Sequence, residues 1–126
     1  MFKVIGVRRE IILESAHRIS SQTLGQFTNT ELSSARVQNL ILEYKGSSAG
    51  VSSINGLGSA LEVLSDTEMN AYGWCYTVDG VESGLLADQY KLTGQESNIT
   101  WFYAYAHMTK NKWVSMCTPA DHFPQQ

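Results

Sequence analysis

Charge is scarce in this chain. Asp, Glu, Lys and Arg make up 17% of its 126 residues, the net charge is -3, and the basic residues are scattered in ones and twos. A nucleic-acid partner needs clustered Lys and Arg against its phosphates, so the pattern excludes one. Long apolar runs are missing as well. None approaches the roughly 20 residues that span a bilayer, and the first residues lack the apolar stretch of a secretory signal. The expectation is a chain with no transmembrane segment. Histidine and cysteine are few and poorly spaced for metal: His17, His107 and His122 form no His-x-x-x-His, and neither Cys75 nor Cys117 has a Cys-x-x-Cys partner. Asp66, Glu68, Asp79 and Asp88 do not alternate as calcium-loop ligands do. No metal site is expected. Internal repeats and low-complexity linkers are also absent, which points to one domain over residues 1–126. With 43% apolar residues, a chain of this size can build a single core.

Along the chain, residues 1–6 read as a short first strand. The spacing then turns helical: Val7, Ile11, Ile12, Ala16 and Ile19 share a stripe that Arg8, Arg9, Glu14 and Arg18 avoid, which predicts an amphipathic helix over about residues 8–20. Thr28 followed by Glu31 has the form of a capping box and marks the start of a second helix. Val37, Leu40, Ile41 and Tyr44 have helical spacing, yet Leu40–Tyr44 also suits a strand, so both remain open over residues 30–45. From Gly46 onward the signals are those of an antiparallel β-domain. Asn55-Gly56 and Asp79-Gly80 are hairpin-turn dipeptides, and a type I′ turn at the second requires positive φ at Gly80. Residues 59–69, anchored by Leu61 and Leu64 and carrying Glu62, read as a short helix or a long loop. Strands are expected over Gly73–Val78, Ile99–Ala106 and Trp113–Cys117. A polar turn at Thr109–Lys112 joins the last two, and Pro119 and Pro124 mark an irregular tail.

Aromatic residues are concentrated in the same region. Eight of the thirteen, Tyr72, Trp74, Tyr76, Tyr90, Trp101, Phe102, Tyr103 and Tyr105, fall between positions 72 and 105. Alternation puts Trp74, Tyr76 and Val78 on one face of a strand and Ile99, Trp101, Tyr103 and Tyr105 on one face of another, with Phe102 pointing the opposite way. A sheet covered by a helix uses such side chains as core. One covered face cannot bury them all, however, and exposed Tyr and Trp suit a contact surface. The candidate ligand-binding residues are Tyr72, Trp74, Tyr76, Trp101, Phe102, Tyr103 and Tyr105. A binding role further implies that at least two of Tyr72, Tyr76, Phe102 and Tyr105 lie exposed side by side.

One short motif carries catalytic chemistry. Gly46-Ser47-Ser48-Ala49-Gly50 matches the Gly-x-Ser-x-Gly nucleophile elbow, in which Ser48 would need His17 or His107 within hydrogen-bond reach. The elbow also needs a helix after it, whereas residues 51–56 read as a strand and turn, and a loop of small residues explains the match. No enzyme is expected, and a small serine hydrolase is kept as an alternative.

The motifs together resemble a known family. Ser53-Ile54-Asn55-Gly56-Leu57, then Gly73-Trp74-Cys75-Tyr76-Thr77-Val78-Asp79-Gly80, then Tyr90-Lys91-Leu92 and Ile99-Thr100-Trp101-Phe102-Tyr103 are similar to the C-terminal β-domain of transcobalamin and intrinsic factor, a domain also found alone or in arrays in bacterial proteins. The resemblance covers about residues 46–106. It implies an α+β, β-grasp-like module with an antiparallel-rich sheet and one main helix packed on it, the helix being that predicted at 8–20. It also implies a non-catalytic binding or interaction module whose partner is a small molecule or protein, with a corrinoid (cobalamin) capped against a second chain as the alternative. The sequence departs from the pattern in three places: Gly94–Asn98 is longer than the family's Gly-Asp turn, residues 20–45 are an inserted segment, and residues 107–126 extend beyond the usual end. The helical barrel of the vitamin carriers does not fit in this chain, so cobalamin binding does not carry over by default.

Cys75 and Cys117 lie in separate segments read as strands. A bridge between them would tie the C-terminal extension to the sheet and place the protein in an oxidising compartment, periplasmic or extracellular, as for many bacterial relatives of the family. Two buried thiols in a cytoplasmic protein are the alternative, since an even count of two decides little.

Overall fold

A computed structural model of the chain describes residues 1–34, 44–47, 50–54 and 57–123, with the side chains of 44–47 and 50–53 left aside. The strands β1 (Phe2–Ile5) and β2 (Ile11–Ser15) pair antiparallel across a short 3-10 turn at Val7–Arg9. Helix α1 (Leu24–Ser34) follows. The short strands β3 (Tyr44–Ser47), β4 (Gly50–Ile54) and β5 (Leu57–Gly58) make a small three-stranded sheet of their own. The main sheet is completed by β6 (Ala60–Val63), β7 (Glu68–Val78), β8 (Val81–Glu82), β9 (Ile99–Thr109) and β10 (Lys112–Pro119). Its seven strands run in the order β2-β1-β9-β7-β6, with β10 also on β9 and β8 also on β7. The β1–β9 pair is parallel, Phe2 beside Ile99 and Val4 beside Trp101, and the other pairs are antiparallel. The class is therefore α+β.

The helix lies elsewhere than the periodicity suggests. Residues 8–20 contain β2 rather than a helix, and the expected stripe divides: Ile11 is 55% exposed and Ala16 is exposed, whereas Ile19 is buried in the core and Ile12 packs against it. The run Ile11-Ile12-Leu13 satisfies both periods, and pairing with β1 settles it as a strand. The true helix start is Thr23. Its hydroxyl accepts from the Gln26 N–H at 3.1 Å while the Gln26 side chain accepts from the Thr23 N–H at 3.2 Å, a reciprocal capping box. Thr28 and Glu31 are instead mid-helix residues facing inward. Residues 59–69 also differ from expectation: β6 and the start of β7 form a hairpin there, closed by Leu64 and Ser65 N–H donating to the Glu68 carbonyl.

Other expectations hold. Asp79 and Gly80 both have positive φ, 50° and 80°, between the paired residues Val78 and Val81, as a type I′ turn demands. Lys110 and Asn111 turn the chain from β9 to β10 in the same left-handed region. The Asn55-Gly56 dipeptide lies outside the described residues, but the residues flanking it, Ile54 and Leu57, pair antiparallel. Residues 35–43 also lie outside, so the helix-or-strand question over 30–45 is answered only for 30–34, which are helical, and for Tyr44 and Lys45, which begin β3.

One face of the main sheet carries the core. Phe2, Val4, Tyr76, Val78, Ile99 and Trp101 pack there against Leu24, Phe27 and Leu32 of α1 and against Ile54 of the small sheet. Each such burial stabilises by roughly 1.5–3 kcal/mol. Trp101 is 1% exposed, and its Nε1 donates to the Thr28 hydroxyl at 2.8 Å, which explains a fully buried threonine on the core side of α1. Further along the same face a second cluster gathers Val7, Tyr72, Tyr103 and Ala120.

The other face is crossed by a bulge. Cys75 and Cys117 form a disulfide with Cα atoms 5.9 Å apart. Strands on either side of β9 would stand about 9.6 Å apart, so β10 must leave its line to reach β7. It does so between Ser115 and Thr118, where the register shifts and Cys117 has φ 53°. Gly73 and Ala104, paired beneath this crossing, provide the room.

Candidate functional site

Strand β7 has two unlike edges. Toward β9 it is paired along its whole length, from Glu68 opposite Thr109 to Val78 opposite Ile99. On its other edge β6 covers Met69–Tyr72 and β8 covers Thr77–Val78, and no strand among the described residues pairs with Gly73–Tyr76 between them. Main-chain groups alternate from edge to edge along a strand. The Asp79 N–H donates to Asn98 O beside β9, whereas the Glu68 carbonyl accepts from the β6 side. Odd-numbered residues thus address β9, and Trp74 and Tyr76 address the gap.

The gap opens into a cleft of about 450 Å³ lined by Ser59, Gly73–Tyr76, Glu82–Ala87, Trp101, Met116 and Cys117. Its aromatic walls have no free polar tips. Trp74 Nε1 donates to Leu57 O at 2.7 Å, Tyr76 OH to Leu85 O at 2.5 Å, and Trp101 Nε1 to Thr28. Burial pushes the Tyr76 phenol above its ordinary pKa. Among the described residues, Glu82 is the one charged residue in the lining, and no imidazole is among them. A smaller hollow of about 140 Å³ lies on the outer face, floored by Ala71, Gly73, Ala104 and Ala106 under Met116 and the disulfide.

Of the candidate ligand-binding residues, Trp74, Tyr76 and Trp101 line the cleft. Tyr72 and Tyr103 belong to the second core cluster, where Tyr103 OH donates to Gly58 O at 2.8 Å and burial raises its pKa. Tyr105 is half-buried beside Tyr72, with ring centroids 5.5 Å apart, and Phe102 is half-buried on the opposite face. The shelf of adjacent exposed rings does not form. Tyr72 is 3% and Tyr76 8% exposed, while Phe102 and Tyr105 point to opposite faces by strand alternation. The small sheet and α1 together cover what a single helix cannot. Glu82, Leu85, Leu86 and Met116 were not legible as site residues, because they reach the cleft from the end of β8, the loop after it and the β10 bulge.

A polar chain runs along the far end of the core face. Glu62 Oε1 accepts from Asn70 Nδ2 at 3.2 Å and from Tyr72 OH at 3.1 Å, and His107 Nδ1 lies 2.7 Å from Asn70 Oδ1. His122 Nε2 is 3.0 Å from the Tyr72 oxygen and 3.4 Å from Glu62 Oε2, and its Nδ1 is 2.7 Å from Asp121 Oδ1. With the Tyr72 proton donated to Glu62, His122 meets an acceptor at each nitrogen, so the doubly protonated ring fits best. The hydrogen bond to Asp121 accordingly raises the His122 pKa, and the same bond lowers that of Asp121. Desolvation, followed by the bond to Glu62, pushes Tyr72 up to about 12. This chain of hydrogen bonds ties the Asp121–His122 segment to the sheet.

His17 is 70% exposed at its side chain, and its Nδ1 faces both Glu31 Oε2 at 2.7 Å and Ser15 Oγ at 2.9 Å. With acid and hydroxyl on the same nitrogen, no proton relay runs through the ring from one to the other. Ser48, the serine of the elbow motif, lies outside the described residues. No cluster of three or more His, Cys, Asp or Glu able to hold a metal occurs among the described residues, and none of their helices is long and apolar enough to cross a membrane. No protein-family model, curated protein or solved structure matches the chain.

Proposed function

We propose that the chain is a binding module of β-grasp-like, transcobalamin C-terminal-like type, acting outside the cytoplasm, and that it holds its ligand in the cleft beside Trp74 and Tyr76. The observation that carries this reading is the cleft itself. Its volume is within the range of ligand sites, it opens where β7 has no strand partner among the described residues, and its rings offer apolar surface with every polar tip already bonded. A single carboxylate without an imidazole among the described lining residues suits holding a ligand better than acid-base turnover. Support for the fold type comes from the hairpin–helix start, the parallel β1–β9 pair at the centre and the strand order β2-β1-β9-β7. The Cys75–Cys117 bridge supports an oxidising compartment. A corrin macrocycle exceeds what this cleft encloses, so the corrinoid alternative requires a second chain; a shift in the visible absorbance of added cobalamin tests it.

Nile red, a neutral dye that brightens in apolar surroundings, tests the main reading. Gly84 lies in the lining, and a Cβ there meets nothing within 4 Å, so Gly84→Trp fills the mouth of the cleft without straining the fold. Dye fluorescence that rises with the parent chain and is lost in Gly84→Trp is the expected result. Dye binding unchanged in that variant, or absent from the parent, contradicts it.

A further inference from the structure

We infer that the occupant of the cleft is an extended polypeptide segment with a basic residue, which adds as a strand to the Gly73–Tyr76 edge of β7. The inference rests on the binding reading above and names its ligand class. Three observations carry it.

The first is the hydrogen-bonding inventory. The indole and phenol groups that line the cleft are all engaged by the protein itself, Trp74 with Leu57 O, Tyr76 with Leu85 O and Trp101 with Thr28. Besides the Glu82 carboxylate and the hydroxyls of Ser59 and Ser83, what the cleft has to offer a ligand is main chain. Trp74 directs its N–H and C=O into the gap, because the register from Glu68 to Val78 runs without a bulge and odd-numbered residues address β9. Groups spaced along a strand edge are matched by another strand, whose amides repeat at the same interval.

The second is length. From Tyr72, the last residue paired with β6, to Thr77, the innermost paired with β8, five residue steps span about 17 Å. Once the flanking strands take their share, about three or four residues fit between them. In such a segment alternate side chains meet different surroundings: one set faces Trp74, Tyr76 and Leu86 on the core side, and the other faces Met116 and the disulfide on the outer side. A strand ligand therefore finds specificity on both faces of the sheet.

The third is charge. Glu82 is the only charged group in the lining among the described residues, and the chain carries a net charge of -3. A lysine or arginine in the incoming strand meets this carboxylate, whereas an acidic residue is repelled.

Three pools of acetylated and amidated pentapeptides test the inference: one with a central lysine and random flanks, one with glutamate at the centre, and one with lysine and N-methylated central amides. Two readouts are used, displacement of Nile red and hydrogen exchange at the Trp74 amide. The lysine pool should displace the dye and, at ten times its dissociation constant, slow exchange at Trp74 about tenfold. The glutamate pool should bind more weakly, and the N-methylated pool should do neither. If dye binds but the lysine pool neither displaces it nor protects Trp74, the strand-addition inference falls while the binding reading stands. Equal displacement by the N-methylated pool also overturns it, since a ligand held by side chains alone does not need its amides. If no dye binds to the parent chain, the binding reading falls first.

Discussion

The two edges of β7 share one backbone and one sequence, yet they are paired differently. Along β9 all eleven residues of β7 are paired. Along the other edge the pairing stops after Tyr72 and resumes at Thr77. The unpaired stretch is not a worn end of the sheet but its middle, roofed by the loop after β8 and backed by the disulfide. An open edge normally invites aggregation, and proteins blunt it by keeping it short or covered. Here it is both short and recessed. The difference teaches that one strand can be fully paired along one edge and leave a short, recessed stretch of the other without a strand partner among the described residues.

The comparison can be broken most forcefully at the paired side. Trp101 is fully buried and bonded to Thr28, so Trp101→Ala should cost about 3–5 kcal/mol in denaturant unfolding. Trp74, half-buried over the cleft, should cost clearly less when replaced by alanine while dye binding is lost. Equal losses of stability would erase the distinction between the two sides. Next in size is the bridge behind the cleft. Its ends are 42 residues apart, for which the chain-entropy model gives about 4 kcal/mol. Cys75→Ala with Cys117→Ala should therefore lower the denaturation midpoint strongly. Smaller still is the cap: Thr23→Ala should cost about 1 kcal/mol, since it removes the reciprocal bond with Gln26.

The smallest effect is the pH response of the chain end. His122 has a raised pKa, so its contribution is fully present below the ordinary histidine value and is lost as pH rises through the folded one. Asp121 has a lowered pKa, so its contribution is present above the ordinary carboxylate value and is lost as pH falls through the folded one. The end of the chain should be held best between these limits. NMR signals of Ala120–His122 should broaden or shift on the alkaline side, and His122→Ala should remove that response while leaving the cleft unchanged.

Much of this architecture was legible in residue patterns. Alternation located the cores of β7, β9 and β10, Asp79-Gly80 announced its turn, and Cys75 with Cys117 suggested a staple across the sheet. The first third of the chain was read wrongly for a physical reason. Ile11-Ile12-Leu13 fits both a helical stripe and a strand, and only the neighbouring β1 decides between them. The helix had its own stripe in Leu24, Phe27, Thr28, Glu31 and Leu32 and its own box in Thr23 and Gln26, but Glu31 and Thr28 looked polar until their partners His17 and Trp101 were in place. The cleft was half legible. Aromatic clustering pointed to Trp74, Tyr76 and Trp101, whereas the loop residues Leu85 and Leu86 and the bulged Met116 carry no periodic signal.

The central claim is that Trp74 directs its main chain into an open edge while its neighbours are paired to β9. Amide hydrogen exchange followed by NMR on the ligand-free protein tests it most directly. The Cys75 amide should exchange slowly, as part of the β7–β9 ladder, and the Trp74 amide beside it should exchange much faster. Equal, slow exchange at both positions would show that the edge is closed and would contradict the account.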